Sequence, residues 1–161
     1  KHHQYLLQEL DKVLNKPPLM KTSRLVDGLH QIAENIHQRS LVILFSDMFD
    51  NSEKSEELFS ALQHLKFNKH EVVLFHVMDK SKELELDYEN RPYKFVDMET
   101  GEELKLSPNE VKKNFHEQSQ EFLNALKLKC IQYKIDFVES DINLGFDQIL
   151  LSYLRKRTDI Y

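Results

Sequence analysis

The chain has 161 residues, of which 40% are hydrophobic and 30% charged, enough for one domain with a single buried core rather than a disordered tail. Twenty-two basic against 27 acidic residues give a net charge of −5, which offers nucleic acid no electrostatic footprint. One cysteine excludes an internal disulfide, three glycines exclude a Gly-rich phosphate loop, and no apolar run approaches the ~20 residues of a membrane span. With no signal-peptide pattern, a cytoplasmic location is expected.

Tyr5, Leu6, Leu10, Val13 and Leu14 recur at helical spacing, and Pro17-Pro18 ends that pattern. Leu25, Val26, Leu29, Ile32, Ala33 and Ile36 form the clearest amphipathic helix, with Thr22 or Ser23 as its N-cap. The run Leu41–Phe45 shows no alternation and predicts a strand buried on both faces, as in a parallel sheet covered by helices. Ser46-Asp47-Met48-Phe49-Asp50 follows at its carboxyl end.

A helix carrying Leu58, Phe59, Leu62 and Leu65 leads to a second strand, Val72–Val77, closed by Asp79; together these predict a βαβ unit. Tyr93–Val96 and Glu103–Leu106 flank Glu99-Thr100-Gly101-Glu102 as a β-hairpin, an insertion over residues 84–106. Ser107-Pro108-Asn109-Glu110 has the form of a capping box opening a long helix with Val111, Phe115, Phe122 and Leu126. A third strand, Ile135–Val138, ends near Ser140-Asp141, and a last helix buries Phe146, Ile149, Leu150, Tyr153 and Leu154. The fold class is therefore α/β, a doubly wound and mostly parallel sheet with a hairpin insertion. Three strands are few for five helices, since sheets usually have about four to six. The expectation is one domain over residues 1–161, truncated on its N-terminal side, with further strands preceding Lys1.

Ligands of open α/β sheets bind beyond the carboxyl ends of the strands, where Asp47, Asp50, Asp79 and Asp141 fall. For Asp79 and Asp141 the plain role of a turn residue is preferred. A hydroxyl at a helix start and a carboxylate at a strand end, Thr22 and Asp47, are oxygen ligands of the kind Mg²⁺ takes. Cys130 lies late in a helical pattern and reads as a buried, inert thiol, and His76 within its apolar strand as a hydrogen-bonded core residue. His30 and His37 stand seven apart on one helix, and with no His-Glu-x-x-His a zinc site is not expected. Arg155-Lys156-Arg157 reads as a solvated last helical turn, where cations sit well.

Lys21-Thr22-Ser23-Arg24-Leu25 followed by Ser40–Asp47 resembles the second and third elements of a von Willebrand factor A metal-ion-dependent adhesion site. More narrowly, Ser46–Asp50, His70–Asp79, the Phe95–Leu104 hairpin and Tyr153–Arg157 resemble the MoxR-associated bacterial family known as domain-of-unknown-function family fifty-eight, from about residue 20 to the end. The resemblance implies a non-enzymatic protein–protein interaction module whose partners include MoxR-type AAA+ ATPases. It also implies a metal contact at Thr22 and Asp47, with Ser23, Ser46 and Asp50 on a partner-binding rim. The family's Asp-x-Ser-x-Ser strand has no counterpart in these residues, so the site is a remnant: Mg²⁺ is expected in a full-length protein at most, and none in this segment. A rival of another class is an Asp-dependent phosphotransfer or phosphohydrolase domain with Asp47 as nucleophile, although Phe49 stands where such hydrolases place a second Asp. The strand Leu41–Phe45 carries nothing to blunt an open edge, so self-association of the chain is also expected.

Overall fold

The computed structural model describes residues 2–16, 25–47, 52–89, 91–96, 101 and 103–158. Helix α1 spans His2–Leu14 and α2 spans Leu25–Asn35; the N-cap positions Thr22 and Ser23 lie outside the described residues. Strand β1 (Leu41–Ser46), helix α3 (Ser52–Phe67) and strand β2 (Glu71–Met78) form the expected βαβ unit, with β1 and β2 parallel and Leu44 opposite Leu74. A π-helical turn, Lys80–Leu84, leads to the hairpin β3 (Tyr93–Val96) and β4 (Glu103–Leu106), which pairs antiparallel with Phe95 opposite Leu104. Helix α4 (Pro108–Gln132) starts where Pro108 predicts, although the Ser107 side chain makes no cap hydrogen bond. Strand β5 (Asp136–Asp141), a short 3-10 turn and helix α5 (Phe146–Thr158) complete the order. The main sheet is β1-β2-β5, all parallel, and the hairpin forms a separate two-stranded sheet.

Side chains that alternate along β2 divide the interior in two, as a strand's period of two requires. Val72 and Leu74 face a layer built from α2, α3 and α4 around Leu29, Ala33, Leu62, Leu65, Leu126 and Cys130. Val73 and Phe75 face α5, where Tyr153 and Val138 complete a smaller cluster. Helices thus cover both faces of β2, and its uninterrupted apolar run is buried as expected. Asn68 donates to the carbonyl of Ala33 at 2.7 Å and ties α3 to α2.

Two expectations need correction. β1 is not buried on both faces: Leu44 is buried, but Leu41, Ile43 and Phe45 are exposed on the face shared with α5. The reason is reach, because α5 packs on β5 and on Phe75 of β2 and stops short of β1 beyond the stacking of Phe45 on Phe75. Of the residues expected to be buried on α5, Tyr153 is buried and Ile149 half-buried, whereas Phe146, Leu150 and Leu154 are exposed. Helix α1 likewise has no buried residue, so its apolar stripe has no cover among the described residues.

The basic end of α5 also differs from a purely solvated turn. Arg157 donates to the Tyr153 hydroxyl at 2.8 Å and to Glu71 at 2.9 Å, while Arg39 takes the other Glu71 oxygen at 2.7 Å. Flanked by Arg39 first and Arg157 next, the Glu71 carboxyl is held below its ordinary pKa. These pairs are partly exposed and orient the α5 terminus more than they stabilise the fold.

Cys130 is fully buried, as expected, and burial pushes its thiol up to about 12. Because only the thiolate reacts, native protein at pH 8 should leave Ellman's reagent unconsumed until denaturant is added. Rapid reaction of the folded chain would show that the α3–α4 layer opens locally.

Candidate functional site

The carboxyl ends of β1 and β2 meet beside the π-helical turn and the first half of α4. The parallel register sets Ser46 opposite His76, and one residue further on, the exposed Asp47 turns its backbone carbonyl back toward β2. His76 Nε2 donates to that carbonyl at 2.9 Å. A carbonyl can only accept, so the neutral imidazole carries its proton on Nε2 and leaves Nδ1 as an acceptor. Nδ1 is buried and has no partner among the described residues. His76 is thus the hydrogen-bonded core residue the sequence suggests.

Burial, more than the hydrogen bond to Asp47 that opposes it, lowers the His76 pKa below its ordinary 6.5. The folded state therefore disfavours the imidazolium, and the unfolded chain binds the extra proton between the folded pKa and 6.5. Stability from a neutral His76 is complete above pH 6.5 and is lost as pH falls below it. The denaturant midpoint of the native protein should drop on going from pH 7 to pH 5 by more than that of a His76→Phe variant. Equal drops would show that His76 titrates as it does in the unfolded chain.

At the end of β2, Asp79 folds the π-helical turn. Its carboxylate accepts from Ser81 Oγ at 2.7 Å, the Lys82 backbone N–H at 3.2 Å and Asn143 Nδ2 at 2.9 Å, and these bonds, Ser81 and Asn143 foremost, lower its pKa. Asp141 caps the 3-10 turn by accepting from the Asn143 N–H at 3.1 Å and from Asn143 Nδ2 at 2.9 Å. Both acids hold turns, the plainer of the two roles open to them, and Asn143 bridges them across the sheet. Glu83 accepts from the Asp79 N–H at 3.0 Å. Burial first, and then the charges of Asp79 and Asp47, raise its pKa above 4.5.

These elements enclose a groove of about 220 Å³. Its apolar wall is Met78, Leu84, Phe115, Phe122 and Leu123, and its polar groups include Asp47, His76 and Glu83. His116 donates through Nδ1 to the Leu84 carbonyl at 3.2 Å and fixes α4 against the turn. Asp47 is the one residue of the expected site that the structure seats in this groove. Ser46 lies one residue back on β1, half-buried, and Thr22, Ser23 and Asp50 lie outside the described residues. Glu83 and Leu84 have no signal in the sequence, because they sit on an irregular turn without periodicity. The stripe Phe115, Ser119, Phe122 does have helical spacing; its exposure to a groove rather than to the core follows only from the fold.

The family model described as "Protein of unknown function DUF58" matches residues 1–122. The chain belongs to the DUF58 family. The match takes in α1, both strands that flank the groove, and the α4 residues through Phe122, and it ends before β5 and α5. No curated protein matches this DUF58 chain, and no solved structure matches it.

A divalent-metal role fits the described residues poorly. Of the pair Thr22 and Asp47, only Asp47 is described, and among the described residues no three His, Cys, Asp or Glu side chains gather where they could hold a metal ion. The two oxygen ligands that the resemblance implies, Thr22 and Asp47, do not replace the hydration of a cation that usually takes about six. Calorimetric titration of the 161-residue chain with Mg²⁺ or Mn²⁺ should therefore show no micromolar site. A micromolar isotherm that Asp47→Ala removes would overturn this. His30 does not pair with His37 either: its Nδ1 lies 3.1 Å from Nδ1 of His64 on α3, a hydrogen bond between helices. No helix among the described residues is long and apolar enough to cross a membrane.

Proposed function

We propose that this DUF58 chain is a non-enzymatic protein–protein interaction module of the von Willebrand A-like kind, which engages a MoxR-type AAA+ ATPase in the bacterial cytoplasm. The observation that carries the proposal is the exposed Asp47 at the carboxyl end of a parallel strand, set on the rim of an apolar groove. That is where open α/β sheets bind their ligands, and an apolar hollow rimmed by polar groups is the anatomy of a recognition surface. Family membership supports the DUF58 part of the resemblance, and the MoxR-type partner is what that resemblance implies. Any metal contribution would need further oxygen ligands beside Asp47.

Phosphotransfer by Asp47 is the weaker reading. A phosphate entering the groove would meet the carboxylates of Asp47 and Glu83, and no Lys or Arg lines it among the described residues. The test is biolayer interferometry between the full-length protein and a purified MoxR-type ATPase from the same organism, run beside incubation with acetyl phosphate. Saturable ATPase binding without phosphorylation of Asp47 is expected; stoichiometric phosphorylation of Asp47 without ATPase binding would replace this function with the enzymatic one.

A further inference from the structure

We infer that the groove between the β1–β2 ends and α4 seats a single large apolar side chain of a partner polypeptide, flanked by a basic residue that pairs with Asp47 and Glu83. The inference rests on the interaction reading above and specifies the chemistry the partner must bring.

Size comes first. An apolar cavity of about 150 Å³ takes up one benzene, whereas pockets for drug-sized ligands run to about 300–1,000 Å³. At about 220 Å³ the groove suits one Phe, Leu or Met side chain rather than a whole cofactor. The wall of Met78, Leu84, Phe115, Phe122 and Leu123 is apolar, as the pocket around a buried interface side chain is.

Charge and hydrogen bonding fix what lies beside that side chain. Asp47 presents an exposed carboxylate at the rim. Glu83 is a half-buried carboxylate with one N–H partner, from Asp79. The neutral polar groups of the lining, Gln118 and Ser119 on α4, can donate or accept, whereas the unpartnered nitrogen of His76 is buried and closed to an incoming group. Two carboxylates with no Lys or Arg in the lining among the described residues call for a cation, and a Lys or Arg carries three to five N–H groups and no acceptor. An acidic partner would instead be repelled by Asp47 and Glu83. The groove therefore discriminates by sign as well as by size.

The probes are fluorescein-labelled pentapeptides Gly-Arg-Phe-Arg-Gly, Gly-Glu-Phe-Glu-Gly and Gly-Arg-Ala-Arg-Gly, titrated by polarisation against the full-length protein. The Arg-Phe-Arg peptide is expected to bind at least about tenfold more tightly than either of the others, a difference of about 1.4 kcal/mol. Ser119→Trp, which fills the groove from α4, should abolish that binding without moving the thermal midpoint. Equal binding of the Glu-Phe-Glu or Arg-Ala-Arg peptide, no binding of any peptide, or full binding by folded Ser119→Trp would each overturn the inference. Should Ser119→Trp fail to fold, Asp47→Asn must weaken the Arg-Phe-Arg peptide on its own, and an unchanged titration would overturn the inference. The peptides report on the groove without the ATPase. Peptide binding in a protein that binds no ATPase would sink the module and leave the groove standing, and ATPase binding without peptide binding would do the reverse.

Discussion

Asp47→Ala in the full-length protein is expected to weaken partner binding at least about tenfold while leaving the fold in place, a loss of about 1.4 kcal/mol of binding energy. The two effects separate because residue 47 serves the fold through its backbone and the surface through its side chain. The carbonyl that accepts from His76 survives the substitution, and the exposed carboxylate does not. Exposed substitutions of this kind usually change stability by no more than about 0.5 kcal/mol, and even a lost helix cap costs about 1 kcal/mol. Circular-dichroism melting and interferometry on the same preparation check both halves. A variant that unfolds on purification would make Asp47 structural, and one that binds normally would move the interface elsewhere.

The second large effect concerns β1. It lies at one end of the β1-β2-β5 order, paired on its β2 side, so its other side is an edge among the described residues. Leu41, Ile43 and Phe45 add an exposed apolar face, with Phe45 66% exposed. Such an edge is a template for pairing with another chain, and Leu41–Phe45 has no Lys, Pro or bulge to blunt it. The 161-residue polypeptide should therefore scatter light at micromolar concentration as a species larger than its 19.2 kDa. Ile43→Lys should return it to the monomer mass, since a charge on an exposed edge opposes pairing. A clean monomer of the unaltered chain, with the amides of residues 41–45 exchanging freely, would show that the edge is tolerated.

The same strand shows where residue pattern stops short of the fold. Val72–Val77 and Leu41–Phe45 look alike as apolar runs, yet only the first is buried on both faces. The difference is set by how far α5 reaches across the sheet, which no local pattern encodes. The hairpin and α3 were legible because period-two and period-3.6 spacing are local properties. Helix α5 was legible in existence but not in burial, for the same reason as β1.

At the site, Asp47 stood out as a carboxylate at a strand end, and Asp79 and Asp141 carry out the turn-capping that their residue type favours. Glu83 was invisible, because a π-helical turn leaves no periodic trace and its carboxylate acquires meaning only beside Asp79 and Asp47. His76 was readable as a core residue, but that its Nδ1 finds no partner among the described residues depends on the register that sets it beside Asp47. Thr22, Ser23 and Asp50 lie outside the described residues, so the implied metal contact rests on the resemblance alone.

The most direct measurement is hydrogen–deuterium exchange of the full-length protein with and without the MoxR-type ATPase. Engagement through the sheet's carboxyl end predicts slower exchange at residues 46–47, 78–84 and 115–123 in the complex, with the outer surfaces of α2 and α3 unchanged. Protection confined to α2 and α3, or an ATPase that leaves every segment exchanging as before, would contradict it.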